Sequence, residues 1–449
     1  MKKTPVRRPL GLTVIEGLAG VGLCLLLALS RLPALYDGLW QDEVHYNIVP
    51  LSAASFSAFR DAICWLMRPM LDLALRKWVW FSPFGLAVTE RNLALVAWLI
   101  ATAHLLILVC LPWSPYWALR VIAGLLLGFC AVEVACSTEA QGYSLVSLAS
   151  TLLVLGFYAT TRQLKQQPRM RTLLFFLSGF AVCLNAHYFS WPFALLMLVV
   201  LAVYLATDPD LTASRMRLAG GLLLAGAVTL ALTIHLNKPS LMFLLTYVPS
   251  PTTHLVWNWV SSLSYVKQAW RWLGLPGLLY LPIVGFGLLH PRRDRRYLAW
   301  GLAAAALGLK FVVVALISAK STYPIHDRYL VMFISPAILA FALGLESIAL
   351  RADRLGASIG SSILVLALVA WIGQAFPRWG AVAGQAREGI AKLRATPGNY
   401  SAAFQFFEKA KSFRRPLLVL TNDCRTSDVP RFYLQFLGRP ADVPTVILN

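Results

Sequence analysis

Hydrophobic runs recur along the whole chain and alternate with shorter polar segments. The hydrocarbon core of a bilayer is about 30 Å thick, so a helix needs roughly 20 apolar residues to cross it. The pattern therefore predicts about eleven transmembrane helices, with ends placed to within a few residues. They cover residues 11–30, 92–111, 119–136, 144–161, 172–186, 190–206, 218–235, 272–289, 297–317, 329–349 and 358–376. An odd number of spans places the two termini on opposite sides of the membrane.

Longer polar segments are predicted on one side of the membrane, at residues 31–91, 236–271 and 377–449. The first contains two amphipathic stretches, near residues 51–66 and 69–81, whose tryptophans suit the lipid headgroup region. The last combines a helical pattern with short β-rich runs, which predicts a small α/β region. We expect a transmembrane domain at residues 1–376, whose first outer loop is 31–91, and a small extracytoplasmic region at 377–449.

Composition narrows the class of protein. Only 13% of the residues are charged and 58% are hydrophobic, whereas about 25% of residues are charged in a typical soluble domain. These values exclude a soluble enzyme. The 15 Trp, 15 Tyr and 23 Phe also exclude a disordered chain, because such chains are poor in aromatic residues.

The net charge of +20, from 40 Lys and Arg against 20 Asp and Glu, is by itself consistent with a nucleic-acid partner. The cations, however, concentrate in alternate short loops, as the positive-inside rule describes for cytoplasmic loops. The cytoplasmic set is Lys2, Lys3, Arg7, Arg8, Arg120, Arg162, Lys165, Arg169, Arg171, Arg215, Arg217, Arg292, Arg293, Arg295, Arg296, Arg351 and Arg354. We therefore predict a multi-pass inner-membrane protein with a cytoplasmic N-terminus, an extracytoplasmic C-terminus and no nucleic-acid partner.

The seven cysteines do not suggest a disulfide framework. Five lie within or at the edge of predicted spans, where a thiol behaves as a small apolar group: Cys24, Cys110, Cys130, Cys136 and Cys183. Cys64 and Cys424 lie outside the membrane on the extracytoplasmic side. An oxidising compartment would allow them to pair, but nothing in the sequence brings them together.

Asp42, Glu43, His45 and Tyr46 follow the first span directly. Acidic residues often only solvate a loop. Here, however, two adjacent carboxylates stand beside an imidazole and a phenol at the membrane surface. A carboxylate in this position is suited to act as a general base towards a hydroxyl or amine nucleophile. It is equally suited to hold a divalent cation such as Mg²⁺ or Mn²⁺ through its oxygen atoms.

Further extracytoplasmic loops carry similar groups. Glu139 lies before the fourth span, close to Tyr143, although the helix dipole alone also favours an acid there. The remaining groups are His187, Tyr188, Lys320, Arg328 and Tyr329. Because the predicted topology brings all these loops to one face of the membrane, we predict a single site there, facing the extracytoplasmic side.

Group transfer from a lipid phosphate is a reaction that uses acids and cations at a membrane face. Arg68, Lys320 and Arg328 are candidates to hold the departing phosphate, because donors already in position stabilise its charge. Arginine also offers a planar bidentate fork for phosphate. Taken singly, each cation is equally well explained as an interfacial anchor or as a contact to an anionic lipid.

The order of these motifs resembles the GT-C membrane glycosyltransferases, specifically the bacterial relatives of dolichyl-phosphate-mannose protein mannosyltransferases and of the aminoarabinose transferase that modifies lipid A. The resemblance covers roughly residues 10–376. Its segments here are Asp42-Glu43, Arg68-Pro-Met-Leu71, Arg91, Glu139-Ala-Gln-Gly-Tyr-Ser-Leu145, His187-Tyr188, Arg328-Tyr-Leu330 and Pro336. Two positions depart from the family pattern: Gln141 stands where arginine is usual, and Arg68 stands where lysine or histidine is usual.

The resemblance implies an all-α, GT-C-like fold that transfers a sugar from a polyprenyl-phosphate donor to a lipid, glycan or protein acceptor, with inversion at the anomeric carbon. Asp42 would be the general base, Glu43 a supporting acid, and Glu139 a second acid near the sugar or near a metal ion shared with Asp42. No cofactor is certain. The expected substrate-binding residues are His45, Tyr46, Arg68, Glu139, Tyr143, His187, Tyr188, Lys320, Arg328 and Tyr329.

A transporter or lipid flippase is the alternative class. Such proteins place ionisable residues near the bilayer midplane, often on internal repeats. His104, Glu133, His235 and Lys310 lie deep enough in predicted spans to fit that alternative, but the sequence contains no convincing repeat. The concentration of charged groups in outer loops favours the transferase.

Overall fold

The computed structural model describes most of the hydrophobic part of the chain. The described residues are 10–36, 46–47, 50–51, 53–64, 69–84, 90–164, 170–209, 215–246, 277–309, 327–356, 358–395, 419–421 and 445–447. Nearly all of them are helical, as expected for a chain whose backbone polar groups must be satisfied within each membrane segment.

Helices occur at every one of the predicted hydrophobic segments. In chain order they are α1 (Leu10–Leu29), α2 (Phe56–Cys64), α3 (Leu71–Ala74), α4 (Glu90–Cys110), α5 (Trp117–Gly128), α6 (Ala131–Cys136), α7 (Tyr143–Leu164), α8 (Met170–Ala186), α9 (Trp191–Thr207), α10 (Arg215–Leu236), α11 (Lys238–Thr246), α12 (Gly277–Leu288), α13 (Arg293–Ala303), α14 (Ile334–Ala352) and α15 (Ile359–Ala395). Short 3-10 segments lie at Leu32–Tyr36, Tyr188–Ser190 and Asp327–Phe333, and π-helical turns continue α3 over Leu75–Phe81 and α13 over Ala304–Leu309.

The described helices confirm an all-α polytopic membrane protein. Segments long and apolar enough to cross a bilayer are Arg91–Cys110, Tyr143–Arg162, Tyr188–Thr207, Met216–Leu236 and Leu330–Ala352. The pair Ile359–Gly373 and Arg378–Ala391, bent by 67°, adds one more if it counts as a single span. Shorter apolar helices are Val14–Leu29, Trp117–Gly128, Leu173–Ala186 and Leu279–Leu288. The helices thus lie where the hydrophobic pattern predicts them, although several described ones are shorter than a full span.

The predicted span at 119–136 differs from the structure, because it is broken in the middle. α5 ends at Gly128 and α6 begins at Ala131, after Cys130 in extended conformation. Arg31, just beyond α1, donates from Nη2 to the carbonyl of Gly128 at 3.4 Å. The carbonyl at the end of α5 is therefore satisfied by a side chain from another segment, which compensates for the interrupted helical ladder.

Two helices form the centre of the bundle. Of the candidate spans, Leu330–Ala352 is 89% buried inside the protein and Tyr143–Arg162 is 78% buried, whereas Met216–Leu236 is only 22% buried. α14 packs against α5, α7, α12, α13 and α15. At Gly344 an added Cβ would overlap the carbonyl oxygen of Ile283, so this glycine allows the backbones of α12 and α14 to touch. α10 instead presents an apolar surface suited to lipid.

The first outer loop and the tail agree in outline with the expected elements. α2 and the segment beginning with α3 lie at the two predicted interfacial stretches. α15 continues beyond residue 376, and the strands β1 (Val419–Thr421) and β2 (Thr445–Ile447) pair in parallel, with Val419 opposite Thr445. The predicted domain boundary and the α/β nature of the tail stay predictions, since the remaining tail residues are not described; the Cys64 side chain and Cys424 also lie outside the described part.

Candidate active site

The described part of the chain contains some of the predicted site residues. Tyr46, Glu139, Tyr143, His187 and Tyr188 are described with their side chains. Arg328 and Tyr329 are described by their backbone alone, in the 3-10 segment Asp327–Phe333. The predicted residues outside the described ones are Asp42, Glu43, His45, Arg68 and Lys320.

A buried ion pair joins the first outer loop to the segment before α7. Arg76 Nε lies 2.8 Å from Asp72 Oδ2, and the two side chains are 0% and 1% exposed. Arg76 also donates to the carbonyl of Leu93 at 2.7 Å and to that of Gln141 at 3.4 Å. Asp72 Oδ2 accepts a second hydrogen bond from the Tyr46 hydroxyl at 3.2 Å.

The same segment makes further contacts to the first loop. Asn47 Nδ2 donates to the carbonyl of Ala140 at 2.7 Å. A Cβ on Gly142 would lie 3.2 Å from the Cβ of Asp72, so glycine lets the backbone approach Asp72 this closely without displacing it. We call Tyr46, Asn47, Asp72, Arg76 and Gln141 the Asp72 cluster. It places Tyr46 beside the ion pair, and the half-buried Glu139 lies two residues before Gln141 in the chain.

Tyr143 and His187 extend this arrangement towards α8. Their rings stack with centroids 6.1 Å apart, and both side chains are buried. His187 Nδ1 accepts a hydrogen bond from the backbone N–H of Phe189 at 3.1 Å, which caps the 3-10 turn Tyr188–Ser190. Because Nδ1 is an acceptor here, the neutral ring carries its proton on Nε2.

Asparagines connect a second group of loops. Asn237, just after α10, accepts from the backbone N–H of Met70 at 2.9 Å and donates to Asn185 Oδ1 at 3.0 Å. The Tyr188 hydroxyl lies 2.8 Å from Ser240 Oγ. We call Met70, Asn185, Tyr188, Asn237 and Ser240 the Asn237 cluster. It holds the residue before α3, and thus the start of the Asp72 helix, against the ends of α8 and α10.

The segment that carries Arg328 lies in the same region. Asp327–Phe333 packs against α6, α7 and Tyr188–Ser190. The structure therefore brings together residues 46–47, 139–143, 187–188 and 327–333, which are parts of four loops that the topology predicts on one face. Their shared position is at the start of α7.

The described residues do not form a metal site by themselves. No group of three or more His, Cys, Asp or Glu side chains with suitable placement occurs among them. Asp42, the expected partner of Glu139 in holding a metal ion, lies outside the described residues. A metal-binding role for these two acids therefore stays a prediction.

The opposite end of α7 carries a different polar group. Arg295 Nε lies 3.6 Å from Glu346 Oε1, and the Arg295 guanidinium stacks 3.8 Å from the ring of Tyr158. Ser114 donates to Glu346 at 2.9 Å, and His290 Nε2 lies 3.8 Å from the same carboxylate. We call Ser114, His290, Arg295 and Glu346 the Glu346 cluster. Tyr158 is fifteen residues after Tyr143, so the two clusters lie roughly 22 Å apart along α7.

Electrostatics in the Glu346 cluster favour neutral histidine. Burial first, and then the positive charges of Arg295 and Arg292, lower the pKa of His290 to about 4. His290 is thus neutral at physiological pH.

Near the first loop, partial burial lowers the pKa of Lys77, whose amine donates to the carbonyl of Leu51 at 2.7 Å.

A third polar group lies near the middle of α7. His104 Nε2 is 2.7 Å from Thr151 Oγ1, and His104 Nδ1 is 3.4 Å from Glu133 Oε1. All three side chains are buried. Of the other embedded residues that fit a transporter, His235 is exposed on α10 and Lys310 lies outside the described residues. His104 and Glu133 are therefore partners of each other within the bundle.

Several residues of the site region were not predicted from the sequence, namely Asn47, Asp72, Arg76, Asn185 and Asn237. For Asp72 and Arg76 the sequence contains a signal, because opposite charges four residues apart lie on one face of a helix. The asparagines carry no such signal. Their partners come from distant parts of the chain, as far as 167 residues away for Asn237 and Met70.

The described helices define the class of protein as a polytopic membrane protein, and the comparison with solved structures shows that its fold is GT-C-like. Among solved structures, the chain is similar to ArnT from Cupriavidus metallidurans bound to undecaprenyl phosphate. The two share 13% sequence identity with a TM-score of 0.54, over 93% of this chain and 84% of that one. No family profile and no curated protein matches the sequence. The similarity thus lies in the fold.

Proposed function

We propose that this protein is a membrane glycosyltransferase that moves a sugar from a polyprenyl-phosphate donor to an acceptor on the extracytoplasmic face of the inner membrane. The observation that carries the proposal is that the GT-C-like fold, shared with a structure bound to undecaprenyl phosphate, gathers Tyr46, Glu139, Tyr143 and His187 at one end of α7. Acids, phenols and imidazoles at one membrane face suit a phosphate leaving group and a sugar.

The proposed chemistry is a single displacement. The Asp42 carboxylate takes the proton of an acceptor hydroxyl or amine, and the freed electron pair attacks the anomeric carbon. The bond from that carbon to the phosphate oxygen breaks, and polyprenyl phosphate leaves with the bonding electrons. One displacement without a covalent sugar–enzyme step inverts the anomeric configuration.

The remaining expected residues take supporting roles. Arg68, Lys320 and Arg328 stabilise the charge that develops on the leaving phosphate. Glu43 assists the base, and Glu139 lies near the sugar or near a divalent metal held with Asp42. The pocket walls are His45, Tyr46, Tyr143, His187, Tyr188 and Tyr329.

Purified protein in detergent tests this proposal. The substrates are short-chain polyprenyl phosphates that carry a labelled pentose or hexose, with lipid, glycan and peptide acceptors supplied in parallel. We expect release of polyprenyl phosphate together with a labelled product of inverted anomeric configuration. A product of retained configuration would contradict the single displacement. Movement of intact donor across sealed vesicles, without cleavage, would support a flippase instead.

A further inference from the structure

We propose that Asp72 and Arg76 are a positioning pair, which sets the placement of the Glu139 loop relative to the loop that carries Asp42 and Glu43. This inference rests on the proposed function. Neither residue touches the reacting atoms in this account. They act through the backbone at residues 140–142 and through Tyr46.

The guanidinium of Arg76 contacts three separate parts of the chain. It pairs with Asp72 at 2.8 Å on its own helix, donates to Leu93 near the start of α4 at 2.7 Å, and donates to Gln141 at 3.4 Å. The group is planar and rigid, so its three contacts fix the relative orientation of these segments. A lysine ammonium or a glutamine amide does not present donors in the same geometry.

Asp72 completes the arrangement from the other side. Its Oδ2 accepts from both Arg76 and the Tyr46 hydroxyl, and its Cβ lies where a side chain on Gly142 would otherwise pack. Asn47, next to Tyr46, bonds to the carbonyl of Ala140 at 2.7 Å. The first loop is therefore joined to residues 140–142 both directly and through the ion pair.

Chain geometry links these contacts to the proposed acids. Asp42 is four residues before Tyr46, and Glu139 is two residues before Gln141. With at most about 3.6 Å per residue, the chain length allows no more than about 14 Å between Asp42 and Tyr46, and no more than about 7 Å between Glu139 and Gln141. In the proposed arrangement, a shift of residues 140–142 against residues 46–47 changes the spacing of the two acids.

Because Asp72 and Arg76 are buried, a contribution to folding stability alone is a poor explanation for the presence of this ion pair. A buried ion pair often contributes little net stability compared with an apolar replacement, although removing one partner leaves an uncompensated charge. The double variant Asp72→Asn/Arg76→Gln leaves no such charge. It therefore separates a positioning role from a merely structural one.

The test compares Arg76→Gln, Arg76→Lys and Asp72→Asn/Arg76→Gln with a matched pair from the other end of α7, Arg295→Gln/Glu346→Gln. Donor turnover, thermal unfolding and hydrogen–deuterium exchange of residues 137–142 are measured on the full chain. We expect the Asp72→Asn/Arg76→Gln protein to regain most of the unfolding temperature lost by Arg76→Gln. Its kcat stays about 100-fold below wild type, as expected for misplaced reacting groups, and its KM stays within about threefold.

Arg76→Lys keeps the charge but not the fork, so its kcat also stays below that of the wild type. Exchange of residues 137–142 rises in the Asp72→Asn/Arg76→Gln protein and stays at the wild-type level in Arg295→Gln/Glu346→Gln, which also keeps the wild-type kcat. Wild-type kcat or unchanged exchange in Asp72→Asn/Arg76→Gln would overturn the positioning role. Absence of turnover in the wild type would reject the proposed function instead, while the exchange measurement would still decide whether the pair holds residues 137–142.

Discussion

A buried arginine–carboxylate pair lies near each end of α7, and the two pairs differ in the segments that they connect. In the Asp72 cluster both partners lie on one short helix, and Arg76 directs its other donors to backbone carbonyls of neighbouring segments. In the Glu346 cluster the partners lie on different helices, α13 and α14. The first pair organises loops, and the second holds helices together.

The surroundings of the pairs differ as well. Near the Asp72 cluster lie Glu139, Tyr143 and His187, which belong to loops with acids and aromatic groups. Near the Glu346 cluster lie Tyr158 and the arginines at the start of α13, which the positive-inside rule assigns to the cytoplasm. A buried ion pair therefore does not identify a site by itself. The chemistry of the loops around it does.

The largest stability effect is expected at the Glu346 cluster. Arg295→Gln leaves the buried Glu346 carboxylate without its cation and removes the bond to the carbonyl of Trp113. We expect a loss of about 3–5 kcal/mol in the free energy of unfolding, as for other broken buried pairs. Thermal unfolding in detergent measures it, with exposed Arg354→Gln as a control within about 0.5 kcal/mol of wild type. An unchanged unfolding temperature in Arg295→Gln would show that this pair does not hold the helices.

Acid should weaken the same end of the bundle. The pKa of His290 is about 4 in the folded protein, below the ordinary value of 6.5. Between these pH values the unfolded chain binds a proton that the folded chain does not, so stability falls as the pH drops from 6.5 to 4. The shift corresponds to a loss of about 3 kcal/mol.

Unfolding temperatures measured from pH 7 to pH 4 check this pH dependence. His290→Asn should lose that part of the acid sensitivity, whereas His235→Asn, at an exposed position on α10, should keep it. Equal pH profiles for wild type and His290→Asn would contradict the assignment.

A smaller change tests the close approach at the Asp72 cluster. In Gly142→Ala the new methyl group would lie 3.2 Å from Asp72 Cβ, so the loop or the carboxylate must move by a few tenths of an ångström. We expect a cost of about 1–3 kcal/mol from overpacking, together with lower donor turnover. Gly220→Ala is the control, because nothing lies within 4 Å of its added Cβ. If Gly142→Ala and Gly220→Ala have equal turnover, the close packing of Gly142 against Asp72 does not affect activity.

The smallest effect comes from a matched pair of tyrosines. Tyr46 donates to Asp72 at 3.2 Å, and Tyr116, near the other end, donates to Asp353 at 2.7 Å. Replacement of each by phenylalanine should cost about 1 kcal/mol, the typical worth of one hydrogen bond. Only Tyr46→Phe should lower donor turnover. If Tyr116→Phe lowers turnover as much, the distinction between the two ends fails.

The positions of the helices were predictable from the sequence because a bilayer requires long apolar segments, and these are visible in the residue pattern. The break between Gly128 and Ala131 was not, because it involves Arg31 from a distant segment of the chain. The π-helical turns after α3 and α13 were not predictable either, because the hydrophobic periodicity does not indicate them.

The candidate site was predictable in part. The topology predicted from the sequence puts residues 46, 139, 187 and 328 on one side of the membrane. The contacts that join them, such as Asn47 to Ala140 or Asn237 to Met70, depend on tertiary packing between segments far apart in sequence. The i,i+4 spacing of Asp72 and Arg76 is visible in the sequence. The contacts of the Asp72 and Asn237 clusters to distant segments carry no local signal, so only the structure reveals them.

Replacement of Asp42 in the donor-cleavage assay tests the central claim most directly. The measurement is the rate at which purified protein releases polyprenyl phosphate from its sugar-linked form, for wild type, Asp42→Asn and Asp61→Asn. Asp61 is an exposed acid in the same loop and serves as the matched control. The account predicts release by wild type and Asp61→Asn, and loss of release by Asp42→Asn with an unchanged unfolding temperature. Full release by Asp42→Asn would contradict the role of Asp42 as base, and no release by the wild type would contradict the proposed transferase.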